Sequence, residues 1–211
     1  MVVSVAVTKA ITNLQDAHHR LDLHPIADPT FFSEWQGPFA ERSSLECVAL
    51  ARLKGRYLNY AECGSITEGT VNFIMLSPLL ELLGLMDSPF ELRTEKYVRF
   101  EIEDGAMQLE GLMDAVVLRE KLWLVVIESK RYGFSVRQAI AQTLTYMMAL
   151  ASTANPIGFG LVTTGEDFLF IKLDRVSRQY ALSDKFTLST IQDNQLIRVV
   201  QILMALVNIP L

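Results

Sequence analysis

Two acids and a lysine stand close together in a strongly apolar part of the chain. Asp114 ends E-G-L-M-D (110–114), and Glu128 and Lys130 sit in V-I-E-S-K (126–130). Carboxylates held side by side repel, and a cation between them removes the conflict. With no His or Cys in the stretch, the oxygen ligands suit Mg2+, with Mn2+ as a substitute, rather than zinc. A lysine two residues past the second acid points into the same site. There it can hold or activate a water poised to attack phosphorus while the metal takes up developing charge. An isolated E-x-K is ordinarily a salt bridge on a strand edge. This one ends a strand too apolar to be an exposed edge, and an Asp precedes it by one hairpin arm.

The elements that must position these groups are two strands, 110–118 and 122–130, rich in Val, Ile, Leu and Trp. Arg119, Glu120 and Lys121 separate them, a length that fits a hairpin. With all three in the loop, Leu118 faces Leu122 and Asp114 faces Val126, so Asp114, Glu128 and Lys130 share a face. A two-residue loop would put Asp114 on the other face, because a one-residue slip turns a whole strand over. Both faces are mostly apolar, as in an interior sheet covered on both sides.

On either side lie further elements. Ser43 and Glu46 form a capping box that starts a helix to about Tyr60. Thr67 caps a second helix with Glu68 in its first turn, where the dipole favours an acid; Pro78 kinks it and Gly84 ends it. Phe90 to Asp104 alternates as a strand, and Asp104-Gly105 signals a tight turn. Ser135 caps a helix to about Ser152, with Gln138, Gln142 and Tyr146 on one stripe. Asn155-Pro156 breaks it, and Ile157–Thr163 returns as a strand parallel to the second hairpin arm. A strand follows at 168–173, then a short strand or loop near Tyr180. Helices are expected at 8–23 and 188–207, the latter with an apolar face wide enough to suggest a homodimer.

The order T-E (67–68), S-P-L-L-E-L-L-G (77–84), G-L-M-D (111–114), V-I-E-S-K (126–130), Q-x-x-x-Y (142–146) and L-V-T-T-G (161–165) resembles the PD-(D/E)XK nuclease superfamily. Specifically, it resembles the nuclease domain that opens type I restriction-enzyme R subunits, over roughly Thr67 to Lys172. Met113 stands where the superfamily name has Pro. The resemblance implies an endonuclease in which Asp114, Glu128 and the carbonyl of Ser129 hold Mg2+, Lys130 positions the water, and Glu68 and Gln142 support the site. Gln138, Tyr146, Arg131 and Arg137 are then the expected nucleic-acid contacts, the arginines because they flank the site.

Other chemistries are excluded by spacing. His18, His19 and His24 offer no i, i+4 pair for zinc. Cys47 and Cys63 fit no metal spacing and suit a reducing compartment. Gly64–Gly69 mimics a phosphate loop, but Thr70 stands where the lysine is needed, and no motor ATPase is legible. A net charge of −5 argues against a non-specific nucleic-acid binder but not against a nuclease whose site is itself acidic. Mean hydropathy is +0.25, yet no run reaches the roughly 20 apolar residues that span a bilayer.

The expectation is one α/β domain: a mixed central sheet of four or five strands, helices on both faces and an extra N-terminal helical layer. Residues 1–62 form that layer, 63–175 the catalytic core and 176–211 a C-terminal strand and helix. The function expected is a cytoplasmic, stand-alone, restriction-endonuclease-like DNA endonuclease, with other restriction-system subunits as partners. The alternative is an inactive nuclease fold kept as a DNA-binding or assembly subunit.

Overall fold

In the computed structural model, β4 (Met107–Arg119) is the strand on which the sheet is built. The residues described are 3–64, 66–102, 107–119, 122–150, 156–191 and 193–209. One edge of β4 pairs antiparallel with β3 (Phe90–Glu101), from Phe90↔Arg119 to Glu101↔Gln108. Two strands share the other edge. β1 (Val3–Ala6) runs parallel against Met107–Glu110, and β5 (Leu122–Ser129) runs antiparallel against Ala115–Arg119. Among the described residues, 111–114 therefore have no strand partner on that edge, and this gap falls on Asp114.

From β5 the sheet continues through β6 (Ile157–Thr163), parallel, then β7 (Asp167–Asp174), antiparallel. β8 (Gln179–Leu182), β9 (Phe186–Thr187) and β2 (His24–Pro25) extend it. The sheet thus has nine strands among the described residues, where four or five were expected. The additions are two to four residues long, too short to show a period of two. The 103–106 turn and the 151–155 helix break lie outside the described residues.

Helices cover both faces. α6 (Val136–Ala149) packs with α1 (Val7–Ala10) and α2 (Leu14–Leu21) on one face, around Ala17, Leu21, Ile140, Leu144 and Ile171. The opposite face carries α3 (Ser44–Cys63) and α7 (Gln195–Val207), with α4 (Glu68–Val71), a π turn (Asn72–Leu76) and α5 (Ser77–Leu82). Within the first 62 residues, β1 enters the sheet, α1 and α2 pack on one face and α3 begins on the other.

Local chemistry explains the departures. The helix expected at 8–23 is cut in two because the Asp16 carboxylate accepts from the amide and hydroxyl of Thr12, and Asn13 caps a new start. The π turn precedes Pro78: Ser77 donates to Asn72, five residues back, and the proline has no N–H to continue the α pattern. The capping box at Ser43 and Glu46 forms as expected, and the helix runs three residues past Tyr60. α7 starts at Gln195 rather than Leu188, because Phe186–Thr187 pairs with β7. Its apolar face, including Leu196, Val199, Leu203 and Leu206, is buried within the chain, so this helix gives no ground for a homodimer.

The hairpin register differs from expectation in an instructive way. Arg119 pairs with Leu122, so the connection is the two residues Glu120-Lys121, themselves outside the described set. A bulge then shifts the register: Leu118 opposes Trp123, but Val117 opposes Val125. The extra residue, Leu124, cancels the slip that a two-residue loop causes, and one further step sets Asp114 against Glu128. A second irregularity lies across β4. Met113 packs in the α6-side core and Ala115 in the opposite one, so the strand rotates about Asp114. Facing it on β3, Glu95 adopts φ of 50°.

At the far end of β6, Tyr57 from α3 donates its buried hydroxyl to the carbonyl of Thr164 at 2.8 Å. A Cβ on the next residue, Gly165 (φ +82°), would run into the Tyr57 ring. Gly165→Ala should cost about 2 kcal/mol or more in urea denaturation, from combined backbone strain and overpacking. Gly84→Ala, also at positive φ (+67°) but facing open space, should cost about 1 kcal/mol. Equal losses would show that the Tyr57 contact is not felt.

Candidate active site

The gap in the edge of β4 is filled by a side chain. Asp114 Oδ2 accepts the backbone amide of Ser129 at 2.6 Å and the Ser129 hydroxyl at 2.9 Å. A carboxylate thus takes the place of a ladder bond where β4 and β5 part. Asp114 is fixed by two donors from the strand that carries the second acid.

Glu128 is 1% exposed. Its Oε1 accepts from Lys130 Nζ at 2.5 Å, while its Oε2 is buried with no hydrogen-bond partner among the described residues. Lys130 is held at its backbone, where its amide donates to Thr163 of β6 at 2.8 Å. Glu68 approaches the same lysine, with Oε1 3.8 Å from Lys130 Nζ. Thr67 caps its short helix through the amide of Thr70. The amide of Tyr132 donates to Ile66 at 3.1 Å, tying the chain after β5 to the chain before α4. Glu68, 60 positions from Glu128 in the chain, is brought to it by this tie.

Below the gap lies α6. Gln142 donates to the hydroxyl of Tyr146 at 3.0 Å, and Tyr146 is 1% exposed. Its ring lies against Gly111: a Cβ there would come within 2.8 Å of the Tyr146 hydroxyl oxygen, so only glycine fits. Tyr146 thus supports Gln142 and β4 from beneath, rather than offering a surface to a nucleic acid. Arg131 and Arg137 are exposed, and the side chain of Gln138 lies outside the description. Glu68, Asp114, Glu128, Lys130 and Gln142 line one cleft of about 640 Å³. Reading the sequence did not place Glu110, Gly111, Leu112, Tyr97 or Val7 in it. The glycine inside a strand was the one available signal.

Electrostatics follow from crowding. Burial, and then the Asp114 charge, push the Glu128 carboxyl up to about 8 even though Lys130 draws it down. Glu68 is raised by burial and by Asp114, against the pull of Lys130. Burial alone would lower Lys130, but Glu128, Asp114 and Glu68 more than offset it and keep it a cation. Burial raises Tyr146 to about 12, so it remains a neutral hydroxyl.

The donor set fits a hard divalent cation. An orphaned, fully buried carboxylate oxygen beside a second carboxylate is what such an ion would satisfy. Among the described residues no three His, Cys, Asp or Glu side chains form a closed cage. Mg2+ does not need one, since it keeps several waters and binds through one or two carboxylates.

A mixed sheet covered on both faces, with this D…E-x-K arrangement at a gap in its edge, is a restriction-endonuclease-like architecture. A family model described as "Type I restriction enzyme R protein N terminus (HSDR_N)" matches residues 100–179. The chain therefore resembles the N-terminal nuclease domain of type I R subunits, over a stretch that holds Asp114, Glu128, Lys130 and Gln142 and leaves out Glu68. A solved fragment described as an HsdR subunit of a type I restriction enzyme from Vibrio vulnificus YJ016 is similar at 17% identity and a TM-score of 0.42. The similarity covers 58% of this chain and 24% of that one, so this chain spans about a quarter of its length. No curated protein matches. No helix among the described residues is long and apolar enough to cross a membrane.

The raised Glu128 carboxyl has a consequence for stability without metal. It binds its proton more tightly folded than unfolded. The folded state should therefore lose stability as pH rises from the ordinary value of 4.5 to about 8. In EDTA, the stability of the parent relative to Glu128→Gln should fall steadily across that window, read from paired thermal melts. A difference that stays flat with pH would refute the raised carboxyl.

Proposed function

We propose that this chain is a metal-dependent endonuclease that hydrolyses DNA phosphodiester bonds. The observation that carries this reading is the Glu128 oxygen buried with no hydrogen-bond partner among the described residues, subject to the charges of Asp114 and Glu68 and beside a lysine. Such an arrangement costs stability in the absence of a ligand, and a bound cation relieves it. Asp114, Glu128 and the carbonyl of Ser129 would hold Mg2+, and Mn2+ would substitute. The ion supplies charge neutralisation to the phosphate oxygens and acidifies a water.

The chain's own groups supply the rest. Lys130, kept cationic by three carboxylates, holds the attacking water and faces the charge that develops on phosphorus. Ser129 fixes Asp114, so the two acids keep their spacing whether or not a cation is present. Glu68 accepts from the same water or from Lys130, and Gln142, braced by Tyr146, offers an amide to a phosphate oxygen. Arg131 and Arg137 contact flanking phosphates, a term that weakens with salt. The match to an R-protein N terminus supports partners from a restriction system.

The test is nicking of supercoiled plasmid by the isolated chain. Cleavage should require Mg2+ or Mn2+ and vanish in EDTA. Lys130→Ala should lower kcat by roughly two to three orders of magnitude while leaving the rise in Tm on adding Mn2+ intact. Glu128→Ala should abolish both. A parent protein that binds duplex DNA but cleaves none in either metal, with both variants binding equally well, would leave a DNA-binding module instead.

A further inference from the structure

The cleft wall next to the acids carries an apolar feature that the hydrolytic chemistry does not use. Tyr97 on β3 and Leu112 on β4 are register partners, so their side chains stand side by side. They are 48% and 56% exposed, and both line the cleft that holds Asp114 and Glu128. Single exposed apolar residues are ordinary, but an adjoining pair inside a cleft that also holds charged groups is not.

The aromatic ring is also held in place. The Tyr97 hydroxyl donates to Glu110 at 2.5 Å. Arg99 reaches the same carboxylate at 3.3 Å and lies 5.8 Å from the ring centroid. Glu110 and Arg99 thus fix the Tyr97 ring while nearly half of the residue stays open to the cleft. A preorganised, exposed ring beside an aliphatic side chain is the surface on which a nucleobase stacks. Leu112 is two residues from Asp114, about 7 Å along the strand, which puts the ledge within a nucleotide's reach of the scissile phosphate.

We propose that Tyr97 and Leu112 form a base-stacking ledge, and that the substrate is a polynucleotide carrying an unpaired nucleotide beside the scissile phosphate. Within a duplex a base has both faces covered by its neighbours and cannot lie on this ledge without leaving the stack. Single strands, flaps and strand junctions offer such a base without that cost. The proposal rests on the nuclease reading for its scissile phosphate, but the ledge can be tested without cleavage.

The probes are a fluorescent single-stranded oligodeoxynucleotide, its RNA counterpart and the matching blunt duplex, read by anisotropy in Ca2+ at fixed salt. The single strand should bind more tightly than the duplex. Tyr97→Ala with Leu112→Ala should weaken single-strand binding roughly tenfold or more and leave duplex binding unchanged, with the protein still folded by circular dichroism. Tyr97→Phe, which keeps the stacking face, should restore most of it. The RNA arm shows whether the ledge accepts either sugar. Equal affinity for strand and duplex would overturn the proposal, as would a double variant that loses both probes equally or neither. A parent that binds the single strand through Tyr97 yet cleaves nothing would sink the nuclease reading and leave the ledge standing. A parent that cleaves single strand and duplex at equal rates, both unaffected by the double substitution, would do the reverse.

Discussion

A single backbone amide decides where the chemistry can be. The N–H of Ser129 is claimed by the Asp114 carboxylate and not by a strand, so β4 and β5 part at that point. A buried amide needs an acceptor, and a carboxylate accepts more strongly than a carbonyl. Parting the strands there leaves four residues of β4 with a free edge between β1 and β5. The cleft enters the sheet through that opening. Had Asp114 been apolar, the natural outcome would be a continued ladder and a closed sheet with no cleft in its edge.

Several neighbouring features make sense as consequences of that opening. Gly111 leaves room for Tyr146 to rise under the gap, Tyr146 braces Gln142, and the rotation of β4 about Asp114 turns the carboxylate toward β5. Glu128 is then left in a protein interior with one oxygen bonded to Lys130 and one unbonded. The strain is electrostatic and local. It raises the Glu128 and Glu68 carboxyls and holds Lys130 positive, a polarised arrangement suited to receiving a cation and a phosphate. The surrounding sheet keeps it from relaxing, because Lys130 and Ser129 are held by β6 and Asp114 through their backbone amides.

Some of this is written in the local sequence. The pairing of acids with an E-x-K in an apolar hairpin, the capping box at Ser43, the cap at Thr67 and the parallel return at Ile157–Thr163 each depend on a few adjacent residues, and each is seen in the fold. Periodicity and cap chemistry act over one or two turns, so they survive translation from sequence to structure. The family resemblance rests on the same short pieces, in their order.

Tertiary structure alone decided the rest, for a physical reason that repeats. The hairpin register turned on a bulge at Leu124, which no loop length encodes. β1, β2 and β9 became strands only because sheet edges were available to pair with them. Tyr146 looked like a polar surface residue on a stripe, yet its ring was buried by a glycine 35 positions earlier. Glu68 reached Lys130 through a backbone bond between Tyr132 and Ile66. Residue types alone determined which chemistry was available; whether the groups would meet depended on contacts between distant segments, whose partners a local pattern cannot name.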